Sequence, residues 1–387
     1  MASKTFNFGI IGYGLSAKIF HIPHLTSIPS FKLYGIVQRT PKAGVDDCGA
    51  DHPTAKSWRS ADELFADPAV DVVVVTTPPD SHFALTKRAL ETGKHVVVEK
   101  PFVPTHAEAE ELVALAREKK RLIAVYQNIK HTLLQPTKAE PHFADPLLAY
   151  PDRRWDADFV TLRQLLADGT LGRIVDFNTH FDRYSPTLRA TWKAEEARPG
   201  NGAIYDLGTH LLDQVVTLFG LPARVTGFLG NTRTDAPRGA GHVEPEDSFT
   251  VHLHYADGML ATARAAVLSA EEEQLRYWVR GDKGSFKKFH LDVQEDQLLA
   301  GLRPGQEGYG VAPESHDGTL TLIKDGKPVR ETHALLPPKT YVEYYRLLEK
   351  AYKGEGEVPV KAEEASAVIR LIELAKESSK QGKTLDV

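Results

Sequence analysis

Short apolar runs alternate with amphipathic stretches through the first third of the chain. Phe6 to Ile11 (FNFGII) reads as a buried strand, followed by a glycine turn and a helical stretch from Leu15 to Thr26. Phe31 to Val37 predicts a second strand, Asp62 to Ala66 a short helix, and Asp71 to Thr77 (DVVVVTT) the clearest strand of all. A valine run without polar alternation is what a strand covered on both faces requires. Ser81 to Glu91 predicts a helix ended by Gly93, whose missing Cβ permits a left-handed cap. His95 to Val98 is a strand, and Thr105 to Lys120 a long helix with Thr105 as N-cap and Glu108 three residues on. Leu122 to Tyr126 returns as a strand. This steady repetition implies right-handed crossovers and a doubly wound parallel sheet over residues 1–128.

Residues 129–152 break the pattern, with prolines at 136, 141, 146 and 151. Proline at that density excludes a continuous helix or a central strand, so the segment reads as an extended insertion loop. Residues 153–387 then read as an α+β domain. Asp156 to Ala167 and Gly202 to Phe219 predict helices, and Val175 to Tyr184 alternates like a strand. Several alternating strands follow from Ala223 to Phe289, with turns at Asp257-Gly258 and Asp282-Lys283-Gly284. Residues 301–317 read as a loop, and Tyr341 to Ala351 and Glu363 to Ser378 as closing helices.

Composition narrows the function. A chain of 387 residues with 42% hydrophobic and 26% charged positions supports two globular domains. A formal charge of −5 gives no reason to expect nucleic acid or an anionic membrane as partner. The single cysteine, Cys48, excludes an intramolecular disulfide. No secretory signal and no run of about 20 apolar residues is visible, so a cytoplasmic location is expected.

Gly12-Tyr13-Gly14-Leu15-Ser16-Ala17 lies between the first strand and the first helix. There Gly12 allows the tight turn, Gly14 admits a pyrophosphate close to the backbone, and Ala17 keeps helix and strand in close packing. Helix N-terminal amides then meet the phosphates, as in a Rossmann domain. Gln38-Arg39-Thr40 ends the second strand, where an NAD site usually places an acid for the ribose 2′-hydroxyl. The missing acid and the Arg39 guanidinium favour NADP over NAD, with Thr40 adding a hydroxyl and Lys42 nearby.

Two groups of residues are candidates for the chemistry. Lys100, in Glu99-Lys100-Pro101, stands at the carboxyl end of a parallel strand, where such sheets bind ligands. It could equally be a surface lysine paired with Glu99. Asp206 and His210 are four apart on a predicted helix and share a face. A histidine there can accept a proton at physiological pH. A surface ion pair is one rival, and a metal site completed by Asp213 or by His252 and His254 is another. Arg153, Arg154, Trp155 and Asp156, with Arg183, Tyr184 and Trp192, offer donors and aromatic faces that suit a sugar, although each aromatic taken alone fits core packing.

The stretches GIIGYGLSAKIFHIPHL, VVVVTTPPDSH, ALETGKHVVVEKP, YQN with RRWDADF, and YDLGTHLLDQ resemble the Gfo/Idh/MocA oxidoreductase family over nearly the whole chain. The resemblance looks closest to its NADP-dependent scyllo-inositol dehydrogenases. It implies a Rossmann domain followed by an open, mainly antiparallel sheet whose exposed face forms a homodimer or larger homo-oligomer. Lys100 matches the catalytic lysine, Asp206 the substrate-binding aspartate and His210 the proton acceptor. The implied cofactor contacts are Gly12, Gly14, Leu15, Ser16, Arg39, Thr40, Thr77, Pro78, His82, Glu99, Lys100 and Asn128. The implied substrate contacts are Lys100, Arg154, Trp155, Tyr184, Asp206 and His210. Two departures stand out: residues 129–152 split YQN from RRWDADF, and Asp80 replaces an asparagine common in relatives.

The expected reaction is hydride transfer between nicotinamide and a secondary alcohol or ketone of a cyclic polyol or sugar, with Lys100, Asp206 and His210 converging beside the nicotinamide and no metal. Two alternatives stay open: a non-catalytic nucleotide-sensing co-regulator of the same fold, and reduction of a non-sugar carbonyl.

Overall fold

The computed structural model describes residues 4–42, 44–126, 154–187, 198–233, 245–338 and 340–387. The chain forms two compact units, each built from three stretches of sequence. The first comprises residues 1–152, 298–307 and 340–366, and the second residues 153–297, 308–339 and 367–387.

The first unit opens with β1 (Phe6–Ile11), a π-helical turn at Ser16–His21 and α1 (Ile22–Leu25). Next come β2 (Phe31–Val37), α2 (Cys48–Asp51), β3 (Lys56–Trp58), α3 (Ala61–Ala66) and β4 (Val72–Val75). Then follow α4 (His82–Glu91), β5 (His95–Glu99), α5 (His106–Lys119) and β6 (Ile123–Tyr126). The six strands form one parallel sheet in the order β3-β2-β1-β4-β5-β6. Val72 to Val75 are each 0% exposed, which is why that run carries no polar position. Thr105 and Glu108 form the expected capping box, and Gly93 takes a φ of 76° just beyond α4. The hydrophobic pattern did not show β3 or α2. Three residues and a four-residue turn are too short to leave a periodicity.

The second unit begins with α6 (Ala157–Ala167) and β7 (Ile174–His180), the latter shorter than its alternation suggested. A π-helical turn at Ile204–Gly208 leads into α7 (Thr209–Phe219). Five strands follow: β8 (Arg224–Gly230), β9 (Ser248–His254), β10 (Leu260–Ala265), β11 (Leu275–Gly281) and β12 (Gly284–Phe289). The chain continues through α8 (Gln294–Leu299), β13 (Gly318–Lys324) and β14 (Lys327–His333). It closes with α9 (Val342–Lys353), α10 (Ala362–Gln381) and β15 (Leu385–Asp386).

Nine strands make the second sheet, in the order β14-β13-β12-β11-β7-β10-β9-β8-β15, with β7 and β10 the one parallel pair described. Alternation does the sorting: Phe249, Val251 and Leu253 of β9 are buried, and the residues between them face partly outward. Outward-facing His252 and His254 bond the hydroxyls of Thr262 and Thr226, at 3.0 and 2.9 Å. At the core of this unit Arg276 is 0% exposed. Its guanidinium donates to Asp158, Thr179 and Gln214 at 3.2, 3.1 and 2.9 Å, so a buried cation is paired and hydrogen-bonded. Among the described residues no helix is long and apolar enough to cross a membrane.

Candidate active site

The glycine turn lies between β1 and the π-helical turn. Gly12 has a φ of 101°, and a Cβ there would stand 2.9 Å from Thr76 Oγ1 and 3.0 Å from Thr76 O. Only glycine fits that conformation against β4. Gly14 is exposed, while Leu15, Ser16 and Ala17 are buried. The turn therefore presents bare backbone at a helix start, which fits a dinucleotide pyrophosphate.

At the end of β2 the Gln38 side chain is committed to its own loop. Its amide donates to Asp46 O at 2.9 Å, and its oxygen accepts from Cys48 N–H at 2.8 Å. Arg39 and Thr40 are exposed beside it. Arg59, at the end of β3, donates to Gln38 O at 3.2 Å and adds a second cation to this corner. Two further contacts clip the loop to the glycine turn: Tyr13 O–H donates to Asp51 at 2.7 Å, and Lys18 donates to Asp46. Burial, then the Asp51 carboxylate, push the Tyr13 phenol above its ordinary value, so it stays a donor at neutral pH.

Thr77 and Pro78 follow β4 and are half-buried. His82 is 0% exposed and lies 2.8 Å from both Thr77 O and Pro101 O through its two ring nitrogens. It therefore ties the loop after β4 to the loop after β5, and its ring nitrogens face main chain. Lys100 is buried at the end of β5, and its bond to Pro101 is cis. Glu99 Oε2 accepts the Lys100 N–H at 3.2 Å, and its Oε1 accepts the Ser16 hydroxyl and approaches His21 Nε2 at 3.0 Å. The Ser16 hydroxyl thus faces Glu99.

In the second unit Asp206 lies in the π-helical turn and is half-buried, and His210 lies in the first turn of α7 and is buried. The start of this helix is held from a distant segment. Glu246 accepts Ile204 N–H on Oε1 at 2.9 Å, and its main-chain oxygen accepts Ala203 N–H at 2.8 Å. Gly202, with a φ of 104°, has no room for a Cβ, which would come 2.4 Å from Glu246. Arg154 donates two hydrogen bonds to Asp213, at 2.8 and 2.7 Å, one turn beyond His210. Asp213 is thus an arginine partner, and Arg154 is an anchor on α7. Trp155 is buried, and Tyr184 is 57% exposed where it bridges Leu268. Asn128, Arg153, Trp192 and the 129–152 insertion lie outside the described residues.

The profile of an oxidoreductase family's NAD-binding Rossmann fold matches residues 6–127, and that of the same family's C-terminal alpha/beta domain matches residues 163–387. The chain belongs to the Gfo/Idh/MocA oxidoreductase family. It is 39% identical to the Escherichia coli oxidoreductase YdgJ, itself uncharacterized, over 99% of each chain. It is 33% identical to the Bacillus subtilis scyllo-inositol 2-dehydrogenase (NADP(+)) IolW, over 98% of this chain and 96% of that one. The solved structure of Bacillus subtilis yvaA matches with a TM-score of 0.86 and 32% identity, over 100% of this chain and 99% of that one.

As a member of the Gfo/Idh/MocA family the chain is an oxidoreductase with a nicotinamide-binding domain. Several residues at these positions carry no sequence signal of their own. Glu246 is the middle residue of an ordinary Pro-Glu-Asp string, and His21 lies inside HIP. What they do depends on long-range contacts, which periodicity does not encode.

Proposed function

We propose that this oxidoreductase uses NADP to oxidise a secondary alcohol of a cyclic polyol or sugar of the inositol class, or to reduce the matching ketone. The observation that carries the reading is Glu99, which bonds Ser16 at the glycine turn through one oxygen and the Lys100 amide through the other. A lysine so placed starts beside the dinucleotide turn. For the cofactor, the support is Gln38 locked in its loop, the exposed Arg39-Thr40 pair and the Arg59 cation. For the substrate class, the support is Asp206 with His210 on one helix start, together with similarity to a relative that is a scyllo-inositol 2-dehydrogenase.

The glycine turn at Gly12 and Gly14 and the Arg39-Thr40 pair would hold the cofactor, which would supply the hydride acceptor or donor for the carbinol carbon. His210 removes the hydroxyl proton in oxidation and gives it back in reduction. Lys100 donates a hydrogen bond to the oxygen as it gains negative charge, and Asp206 accepts from a substrate hydroxyl. The second sheet, with Phe228 59% exposed on β8, offers the face through which a homodimer or larger homo-oligomer forms.

A screen of inositols, aldoses and polyols with NADP and NAD in parallel tests the reading. Turnover with NADP is expected, and Lys100→Ala and His210→Ala should each lower kcat by about 100-fold or more while NADP still binds. Wild-type turnover in both variants would end the role assignment. Tight NADP binding with no turnover across the panel would remove the polyol.

A further inference from the structure

The first unit contains a buried polar chain whose far members, His21 and Tyr345, have no part in the dehydrogenase chemistry above. Tyr345 on α9 places its hydroxyl 2.6 Å from His21 Nδ1, and His21 Nε2 lies 3.0 Å from Glu99 Oε1. The Ser16 hydroxyl donates to that same oxygen, and Lys100 N–H donates to Oε2. Tyr345, His21 and Ser16 are each 0% exposed and Glu99 is 1% exposed.

With Glu99 ionised and the His21 ring neutral, every bond runs in one direction. An ionised carboxylate only accepts, so His21 carries its proton on Nε2. A neutral ring then accepts at Nδ1, so the Tyr345 O–H donates there. The order is Tyr345 to His21 to Glu99, with Ser16 and Lys100 N–H as further donors to the carboxylate. Three donors converge on one buried carboxylate and fix its orientation. The Tyr126 ring lies 4.2 Å from the His21 ring, centroid to centroid, and blocks its rotation. Packing alone does not require such a chain, since apolar residues of the same size fill a core without the desolvation cost.

We propose that His21 and Tyr345 are positioning residues for Lys100: Tyr345 orients the imidazole, His21 holds Glu99 as an oriented carboxylate, and Glu99 fixes the main chain at the lysine. The proposal rests on Lys100 having the catalytic role given above. It gives α9 a part in the site, because the tyrosine that starts the chain stands on that helix.

His21→Leu removes the donor at similar size, His21→Gln keeps an N–H that can reach Glu99, and Tyr345→Phe removes one oxygen. Folding of each is checked by near-UV circular dichroism. Two readouts follow. The first is the infrared difference spectrum of the cofactor-free protein at neutral pH, with Glu99→Gln as reference. A shifted Glu99 carboxylate stretching band is expected in His21→Leu, with the wild-type position kept in His21→Gln. The second is kinetics on a substrate from the screen. His21→Leu should lose about 10- to 100-fold in kcat, with the dissociation constant for NADPH within about 3-fold of wild type, and His21→Gln should recover most of the loss. If His21→Leu does not fold, Tyr345→Phe is read the same way, with a smaller loss in the same direction. A folded His21→Leu variant with the Glu99 carboxylate band and kcat both unchanged overturns the proposal. If the wild type turns over no polyol, the dehydrogenase reading fails at that point, and the infrared arm still decides whether His21 orients Glu99.

Discussion

Arg39 and Gln38 divide the work at the end of β2. The Gln38 side chain is spent inside its loop, and Arg39 and Thr40 are exposed beside it, so under the proposed reading they are what an NADP 2′-phosphate would meet. A charge-assisted bond to a 2′-phosphate contributes roughly 1.5–3 kcal/mol, or about 10- to 100-fold in affinity. Arg39→Asp should therefore weaken NADP by at least that much and leave NAD within about 3-fold, as read by titration calorimetry. Equal losses for both nucleotides would defeat the assignment. A second residue-scale prediction concerns acid stability. His24 is 0% exposed, and burial lowers it from the ordinary 6.5 to about 3. Below pH 6.5 the unfolded chain binds a proton that the folded protein refuses. The stability His24 contributes is thus full above pH 6.5 and drains away as pH falls toward 3. At pH 5 the loss is roughly 2 kcal/mol. His24→Leu should lower stability at pH 7.5, and its deficit against wild type should shrink by about that amount at pH 5, measured by urea unfolding. His95, lowered to about 4 by burial, keeps some acid sensitivity in the variant.

At the scale of elements, the helix that carries Asp206 and His210 was plain in the sequence, and its anchor was not. Apolar positions on one face announce α7. The π-helical turn before it, and Glu246 clasping Ala203 and Ile204, come from contacts across 42 or more positions of chain. A carboxylate at a helix start satisfies amides that the helix cannot. Glu246→Ala should destabilise the second unit by about 1–2 kcal/mol and lower kcat more than it raises KM, whereas Glu246→Gln, which can still accept at Ile204 N–H, should do less of both. Thermal unfolding and steady-state kinetics check this; a Glu246→Ala protein with wild-type kcat would make Glu246 a cap and nothing more. The capping box at Thr105, by contrast, was legible because both partners lie within one turn.

For the whole molecule, the first unit is completed by chain that arrives late. Phe6, Phe8 and Phe31 pack on Tyr352, and Tyr126 packs on Tyr344 and Tyr345, with ring centroids 4.6 to 6.3 Å apart. By its contacts, the segment 340–366 belongs to this unit. A fragment of residues 1–128 should therefore lack a cooperative urea transition, and a fusion of 1–128 to 340–366 through a flexible linker should restore one; cooperative unfolding of the short fragment would refute this. The sequence by itself determined the parallel sheet, the glycine turn, the missing acid after β2 and the identity of Lys100, Asp206 and His210 as candidates, because periodicity, turn chemistry and motif spacing are local. Only the tertiary structure decided that Gln38 faces inward, that Arg154 belongs to Asp213, that Ser16 serves Glu99, and that Tyr345 and Glu246 stand behind the candidate residues. A buried polar group takes whichever partner the packed chain delivers, and in this protein the partners come from far along the sequence.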